Sequence, residues 1–326
     1  MCVYIYRVLI KLILSKRIID IYNKYFMIQH LVLSGGAIVG FAYFGTLQTL
    51  IENEYLNMDD IQTIHATSAG TLVAVSFTLG YKLDVLKTYW MDRPWKDLYT
   101  IDFNSIVRAI KDGGMFGRPE VLKTIEPLLL GQDLSIDITL EEFYTFNKKE
   151  IHFYTTKYSS LELVDLSYKT HPTWKLVDAV FASCCLPVLF IPLLHEEHYY
   201  IDGAVIMNYP LQRCLDQGHD VDTILGLDNA GRHEIHHVQS SPFLSPSSPY
   251  KLLDFVHSLS MKLWCSKRQK RTDAENDVSH QISVVCPADP ISIFKAFDTK
   301  EERLSLYQTG KQAALAYMEA QKLNTK

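Results

Sequence analysis

Apolar positions in this chain fall into short unbroken runs separated by longer stretches of helical spacing. Gln29-His30-Leu31-Val32-Leu33 is a short apolar run of the kind found in buried parallel strands. A helix-like stretch follows over residues 41–54. Ile61 and Ile64 predict a second short strand ending near Ala66. Thr71-Leu72-Val73-Ala74-Val75-Ser76-Phe77 then reads as a buried helix that stops near Gly80. Residues 81–117 are helical in places and rich in large aromatics, among them Tyr89, Trp90, Trp95, Tyr99 and Phe103. These fit either a core helix with a packed loop or a lid and lipid-facing rim, since Trp and Tyr favour the boundary between apolar and wet surroundings.

Pro119 opens a further helix from its first turn, and Thr139-Leu140-Glu141-Glu142 fits a capping box for a helix reaching Phe146. Asn147, Lys148 and Lys149 read as a solvated turn before two strand-like runs, 150–158 and 161–167. Trp174, Val177, Val180 and Phe181 recur at helical spacing within 172–184, and a Pro-bounded extended stretch, 186–192, ends that helix. Tyr199-Tyr200-Ile201 is a strand, 210–216 a short helix, 223–227 a buried strand, 281–286 a last strand and 300–323 a closing helix.

The two remaining stretches are less regular. In residues 1–26 the apolar runs are broken by Arg7, Lys11, Lys16, Arg17 and Lys24, so none approaches the roughly 20 residues needed to cross a bilayer. We read them as an N-terminal extension outside the core, with an interfacial helix as the alternative. The stretch 233–250 carries His233, His236 and His237 and then Ser/Pro-rich sequence, and reads as an inserted loop rather than a metal cluster. A helix over 251–264 and the basic run Lys267-Arg268-Gln269-Lys270-Arg271 follow it. No internal repeat or linker divides the rest, so residues 27–326 are expected to form one domain.

Totals change this picture only by exclusion. With 326 residues, 48% hydrophobic and 21% charged, the chain is long enough to bury a large core and is neither fibrous nor disordered. A net charge of -5 argues against a general nucleic-acid binder. The six cysteines contain no zinc-type Cys-x-x-Cys pair, and free thiols in a reducing, cytoplasmic compartment are the simpler reading.

Candidate chemistry lies in the turns. Ser34-Gly35-Gly36-Ala37-Ile38-Val39-Gly40, between a strand and a helix, gathers backbone N–H groups around one point and is an anion site by geometry. As Gly35-x-Ala37-x-x-Gly40 it is a degenerate dinucleotide fingerprint, with Glu52 or Glu54 near the distance of a ribose contact. As an oxyanion hole, the N–H groups of Gly35, Gly36 and Ala37 would stabilise the tetrahedral intermediate of acyl transfer. The next strand–turn–helix favours the second reading. In Ile64-His65-Ala66-Thr67-Ser68-Ala69-Gly70 the serine sits on a sharp turn with its hydroxyl raised at a helix N-terminus, a Gly-x-Ser-x-Gly elbow with Ala66 in first place. A dinucleotide site leaves that serine unexplained.

A serine hydroxyl needs a base within reach. His257 and His280 follow it in the chain without a distinguishing local setting, and His65 reads as a satisfied structural histidine. Asp202-Gly203-Ala204 is a tight turn after a strand, a common enough arrangement to carry little weight alone.

Read together, the segments 33–40, 67–70 and Asp202-Gly203-Ala204 resemble, in order and spacing, the patatin-like phospholipase family. Phe181-Ala182-Ser183-Cys184-Cys185-Leu186-Pro187, with Phe190 and Pro192, resembles that family's Ala-Ser-x-x-x-Pro-x-x-Phe-x-Pro segment. Asn208 and Pro210 stand at the family's offsets after Asp202. The resemblance implies a three-layer α/β/α sandwich with a mainly parallel central sheet. It implies a Ser–Asp dyad of Ser68 and Asp202, an oxyanion loop at Gly35, Gly36 and Ala37, and no metal or cofactor. The implied activity is hydrolysis of a phospholipid or neutral lipid, with peripheral membrane contact. Trp90, Trp95 and Trp264, with the basic run after Trp264, are the expected contact to anionic bilayers. The chain departs from the family at Ala37 and Ala66, where glycine is usual, and at Val39, where many members carry Arg or Lys. A Ser-His-Asp esterase, and a lipid-binding module of the same fold without turnover, are the competing readings.

Overall fold

The computed structural model describes residues 27–230, 273–287 and 290–324. The N-terminal extension, the histidine-bearing stretch 233–250, the helix expected over 251–264 and the basic run lie outside the described residues. Ten strands are described: β1 (His30–Leu33), β2 (Thr63–Thr67), β3 (Gly114–Phe116), β4 (Glu150–Lys157), β5 (Glu162–Leu166), β6 (Val188–Phe190), β7 (Leu193–His195), β8 (His198–Asp202), β9 (Ile224–Asn229) and β10 (His280–Val284). One sheet runs in the order β10-β9-β1-β2-β4-β8-β7, with β5 also paired to β4, while β3 and β6 form a separate pair. From β10 to β4 every pairing is parallel, and β5, β8 and β7 join antiparallel. The fold is α/β with a mixed, mainly parallel central sheet.

Alternation along each strand decides what covers the sheet. Leu31 and Leu33, Ile64 and Ala66, and Ile151 and Phe153 point into one large core. That core is shared with helices α1 (Val39–Glu52), α2 (Ala69–Thr78), α3 (Leu83–Asp92), α5 (Arg118–Leu130) and α7 (Leu176–Cys184). Between α3 and α5 lies α4 (Phe103–Asp112), and α6 (Leu140–Asn147) opens on the expected capping box of Thr139 and Glu142. Among the described residues the opposite face is covered more thinly. There Val32 packs with Leu211 and Cys214 of α8 (Leu211–Leu215), beside α9 (Asp273–Asn276). The chain closes with α10 (Pro290–Asp298) and α11 (Lys300–Asn324), the latter packed along α1.

Two strand ends meet along one edge of β4, and that meeting places the site. β2 pairs with β4 as far as Thr67 opposite Tyr154, while β8 pairs with its continuation, Asp202 opposite Thr155. β5 occupies the other edge of β4 over the same residues, so β2 and β8 share an edge and approach nearly end to end. The residue after Thr67 therefore faces the last residue of β8. This register explains why a serine and an aspartate 134 residues apart come together.

Trp90, Trp95 and Tyr99 are core, which corrects the lid and membrane-rim reading of Trp90 and Trp95. They are 6% and 1% exposed, with rings stacked at 5.0 Å. Trp95 Nε1 donates to the Trp90 carbonyl (2.8 Å) and Trp90 Nε1 to Ser76 Oγ (3.2 Å), so their polar atoms are satisfied internally. Buried Arg303 of α11 ties this region together by donating to the carbonyls of Met91, Arg93, Ala296 and Phe297.

Candidate active site

Ser68 sits between β2 and α2 with φ 53° and ψ -127°, a conformation that costs a non-glycine residue about 1–3 kcal/mol. Its neighbours hold it there. The Ser68 N–H donates to Ser183 Oγ (2.9 Å), whose own hydroxyl donates to the Tyr154 carbonyl (2.6 Å). On the other side, the Thr71 hydroxyl and N–H both donate to the Ser68 carbonyl, at 2.6 and 2.8 Å. Ser183 is the serine of the Ala-Ser-x-x-x-Pro segment, and the structure makes it a brace for the elbow. Ser183→Ala leaves a buried N–H and a buried carbonyl without this partner. It is expected to destabilise the protein by about 1–3 kcal/mol, read as a lower urea midpoint. An unchanged midpoint would show that the bridge contributes nothing.

The Ser68 hydroxyl donates to Asp202 Oδ2 at 2.6 Å. Asp202 is 1% exposed, and its other oxygen, Oδ1, accepts from the Ala204 N–H (2.8 Å). Its backbone N–H donates to the Cys185 carbonyl (2.9 Å), which fixes the residue from a third side. The nearby Cys184 thiol is pushed well up by burial and by the Asp202 carboxylate.

The three expected oxyanion residues have separate placements. The N–H of Gly35 donates to the Asn208 carbonyl (3.0 Å), and Asn208 Nδ2 returns a bond to the Gly35 carbonyl (3.2 Å). What Gly35 supplies is closeness, since a Cβ there would meet Ser68 Cβ and Asn208 Oδ1 at 2.8 Å. Gly36 and Ala37 line the same cavity as Ser68 and Asp202. Among the described residues their N–H groups meet no acceptor. Ala37 has φ 50°, so alanine is strained here where the family's glycine is not. Val39 is fully buried in the core.

The cavity has a volume of about 120 Å³. Ser68 and Asp202 supply its polar end, and Phe44, Trp90, Phe116 and Phe297 are among its apolar walls. No histidine lines it among the described residues. His65 is buried, with Nδ1 on the Tyr154 hydroxyl (2.8 Å), and His280 engages the Tyr317 hydroxyl (2.6 Å). His257 lies outside the described residues.

An elbow serine bonded to a buried aspartate, beside a glycine-rich loop, stands at the polar end of the cavity. The sequence profile of the patatin-like phospholipases matches residues 31–215, more than half of the chain, and the chain belongs to that family. It is 26% identical over 207 residues to "Uncharacterized protein R571" of Acanthamoeba polyphaga mimivirus, covering 64% of this chain and 67% of that protein. It is also 26% identical over 198 residues to "Probable lipid hydrolase 463L" of Invertebrate iridescent virus 6, covering 58% of this chain and 63% of that protein. The matches thus span about two thirds of the length of these relatives. Among solved structures, VipD from Legionella pneumophila shares the fold with a TM-score of 0.50 at 15% identity, over 90% of this chain and 67% of that one.

Proposed function

We propose that the protein is a lipid acyl hydrolase using Ser68 as nucleophile and Asp202 as base. The observation that carries this reading is the 2.6 Å hydrogen bond from Ser68 Oγ to Asp202 Oδ2 at the polar end of an otherwise apolar cavity. Ser68 Oγ attacks the ester carbonyl of a phospholipid or neutral lipid as its proton passes to Asp202. The carbonyl oxygen becomes an oxyanion held by the N–H groups of Gly36 and Ala37, with the α2 N-terminus adding favourable potential. Gly35 keeps the loop against the elbow rather than donating. Asp202 returns the proton to the leaving alcohol, and the same steps with water release the fatty acid. The apolar walls would hold the acyl chain. A fluorophosphonate probe tests the reading directly: mass spectrometry should find the label on Ser68, and a label elsewhere or none would count against it.

Contact with a lipid surface moves to α4. On this helix Phe103, Val107 and Ile110 recur at positions i, i+4 and i+7 with 77%, 42% and 79% exposure, an apolar stripe facing water. The helix leads into β3, whose Phe116 lines the cavity, so a bilayer against this stripe would lie beside the acyl site. Phe103→Ser with Ile110→Ser should weaken vesicle co-sedimentation by at least about tenfold, given roughly 1.5–3 kcal/mol for each large side chain. Hydrolysis of a soluble short-chain ester should be unchanged. Equal binding by the double variant would exclude α4 as the contact. Among the described residues no helix is long and apolar enough to cross a membrane. Among the described residues Cys184, Cys185, Cys214 and Cys286 are free thiols.

A further inference from the structure

The sheet face turned away from α1 and α2 carries histidines where an apolar layer is the ordinary choice. His65 on β2 lies flat against His152 on β4, with ring centres 4.4 Å apart and planes 6° from parallel. His219, from the segment after α8, stacks on His30 of β1 at 3.6 Å. Cys214 reaches the same region from α8, and one donor atom each from His65, Cys214 and His219 lie within 4.8 Å of one another. His65 is 0% exposed, and among the described residues its Nε2 has no hydrogen-bond partner. Gln217 lies beside His65 and raises its basicity, but at a geometry short of a hydrogen bond to Nε2, and its Oε1 accepts from His219 (2.9 Å). A buried imidazole nitrogen left in that state is costly unless something binds it.

We propose that His65 Nε2, Cys214 Sγ and His219 Nδ1 form a structural site for a zinc-class divalent cation. One thiolate and two imidazoles suit zinc or cobalt, and are a poor set for calcium or magnesium, which take oxygen. The surrounding bonds orient the ligands as metal-bound histidines require. With Nε2 on the metal, His65 carries its proton on Nδ1 and donates it to Tyr154 Oη (2.8 Å). With Nδ1 on the metal, His219 donates its Nε2–H to Gln217 Oε1.

Binding replaces the Cys214 S–H proton with the metal and releases that proton to water.

None of the three ligands lines the acyl cavity, so the site is independent of the hydrolytic reading. His65 stands three residues before Ser68, about 10 Å along the strand. A metal here would anchor β2 behind the elbow to the segment after α8, a positioning role without contact to the reacting atoms. No sequence motif announces it, because Cys214 and His219 lack zinc-type spacing and His65 comes from a distant strand.

The test uses the full chain without an affinity tag, freed of metal by a chelator and titrated with Co²⁺. The expected result is one tight equivalent with a thiolate-to-cobalt charge-transfer band, displaced by Zn²⁺. Cys214→Ser should abolish that band, and His219→Ala should weaken Co²⁺ binding at least tenfold. His219 is half-exposed, so its variant keeps the test open should the core Cys214 variant fail to fold. Zn²⁺ should also raise the melting temperature of the parent chain but not of His219→Ala. Absence of the band in the parent overturns the proposal. So does a band and affinity unchanged by His219→Ala, which would place the metal on another thiolate.

Discussion

Ser68→Ala is expected to lower ester hydrolysis by about 10⁴-fold or more while the protein stays folded, the scale seen when a covalent nucleophile is removed. Both halves follow from the local geometry. Among the described residues the hydroxyl makes one side-chain hydrogen bond, to Asp202 Oδ2, and the backbone is held separately by Ser183 and Thr71. Alanine meets the same steric cost as serine at φ 53°, so the turn has no new reason to change. Asp202 loses a donor on one oxygen but keeps the Ala204 N–H on the other. That loss is worth about 1–3 kcal/mol at most and should not unfold the protein. Circular dichroism and a melting curve check the fold, and a chromogenic ester checks the rate. Hydrolysis retained in a folded Ser68→Ala chain would sink the mechanism. A parent chain with no turnover on any acyl ester would leave the lipid-binding module as the better reading.

Much of the fold was legible because short, unbroken apolar runs have few alternatives to buried strands. The runs at 29–33, 150–158 and 223–227 correspond to β1, β4 and β9. The helix expected from 172 begins only at Leu176, since residues 171–174 are taken up by a turn. Helix α10 and strand β3 were not foreseen, while α4 lies within the stretch 81–117 expected to be helical in places and β6 within the extended stretch 186–192. The stripe on α4 faces water, so its apolar spacing could not be told from a core pattern by sequence alone. Trp90 and Trp95 failed as rim residues for the reverse reason. Their ring nitrogens find a carbonyl and a hydroxyl inside the core, and composition cannot reveal such partners.

Ser68 and Asp202 were legible through their small-residue turns, because close packing at a strand end restricts side-chain size. Their proximity was not legible from either turn alone. It depends on β2 and β8 sharing one edge of β4, a pairing register that no local pattern encodes. The same holds for Asn208, whose backbone and amide clamp Gly35 from a loop beyond Asp202. A glycine-rich loop announces several free N–H groups, but the clamp uses one of them. Only the folded chain shows which one.

The identity of the base is the second large effect. Asp202→Asn keeps the size and shape of the side chain, and its carbonyl oxygen can still accept from the Ala204 N–H. The atom facing Ser68 Oγ then becomes an NH₂ group, which donates where the carboxylate accepted. Ser68 loses its proton acceptor, and the hydrogen bond can persist only with its direction reversed. A lost general base corresponds to about 10²–10⁴ in turnover, with the smaller effect expected on substrate binding. The carboxylate lies in a buried setting that disfavours water as a substitute base. No histidine among the described residues lines the cavity, so His280→Gln should retain most of the rate. His257→Gln is the informative companion, since that residue follows Ser68 in the order a triad uses. Single-turnover kinetics on the folded variants separates the two mechanisms. Loss of activity in His257→Gln with most of the rate retained in Asp202→Asn would replace the dyad with a triad. Loss in Asp202→Asn alone would assign the proton to Asp202.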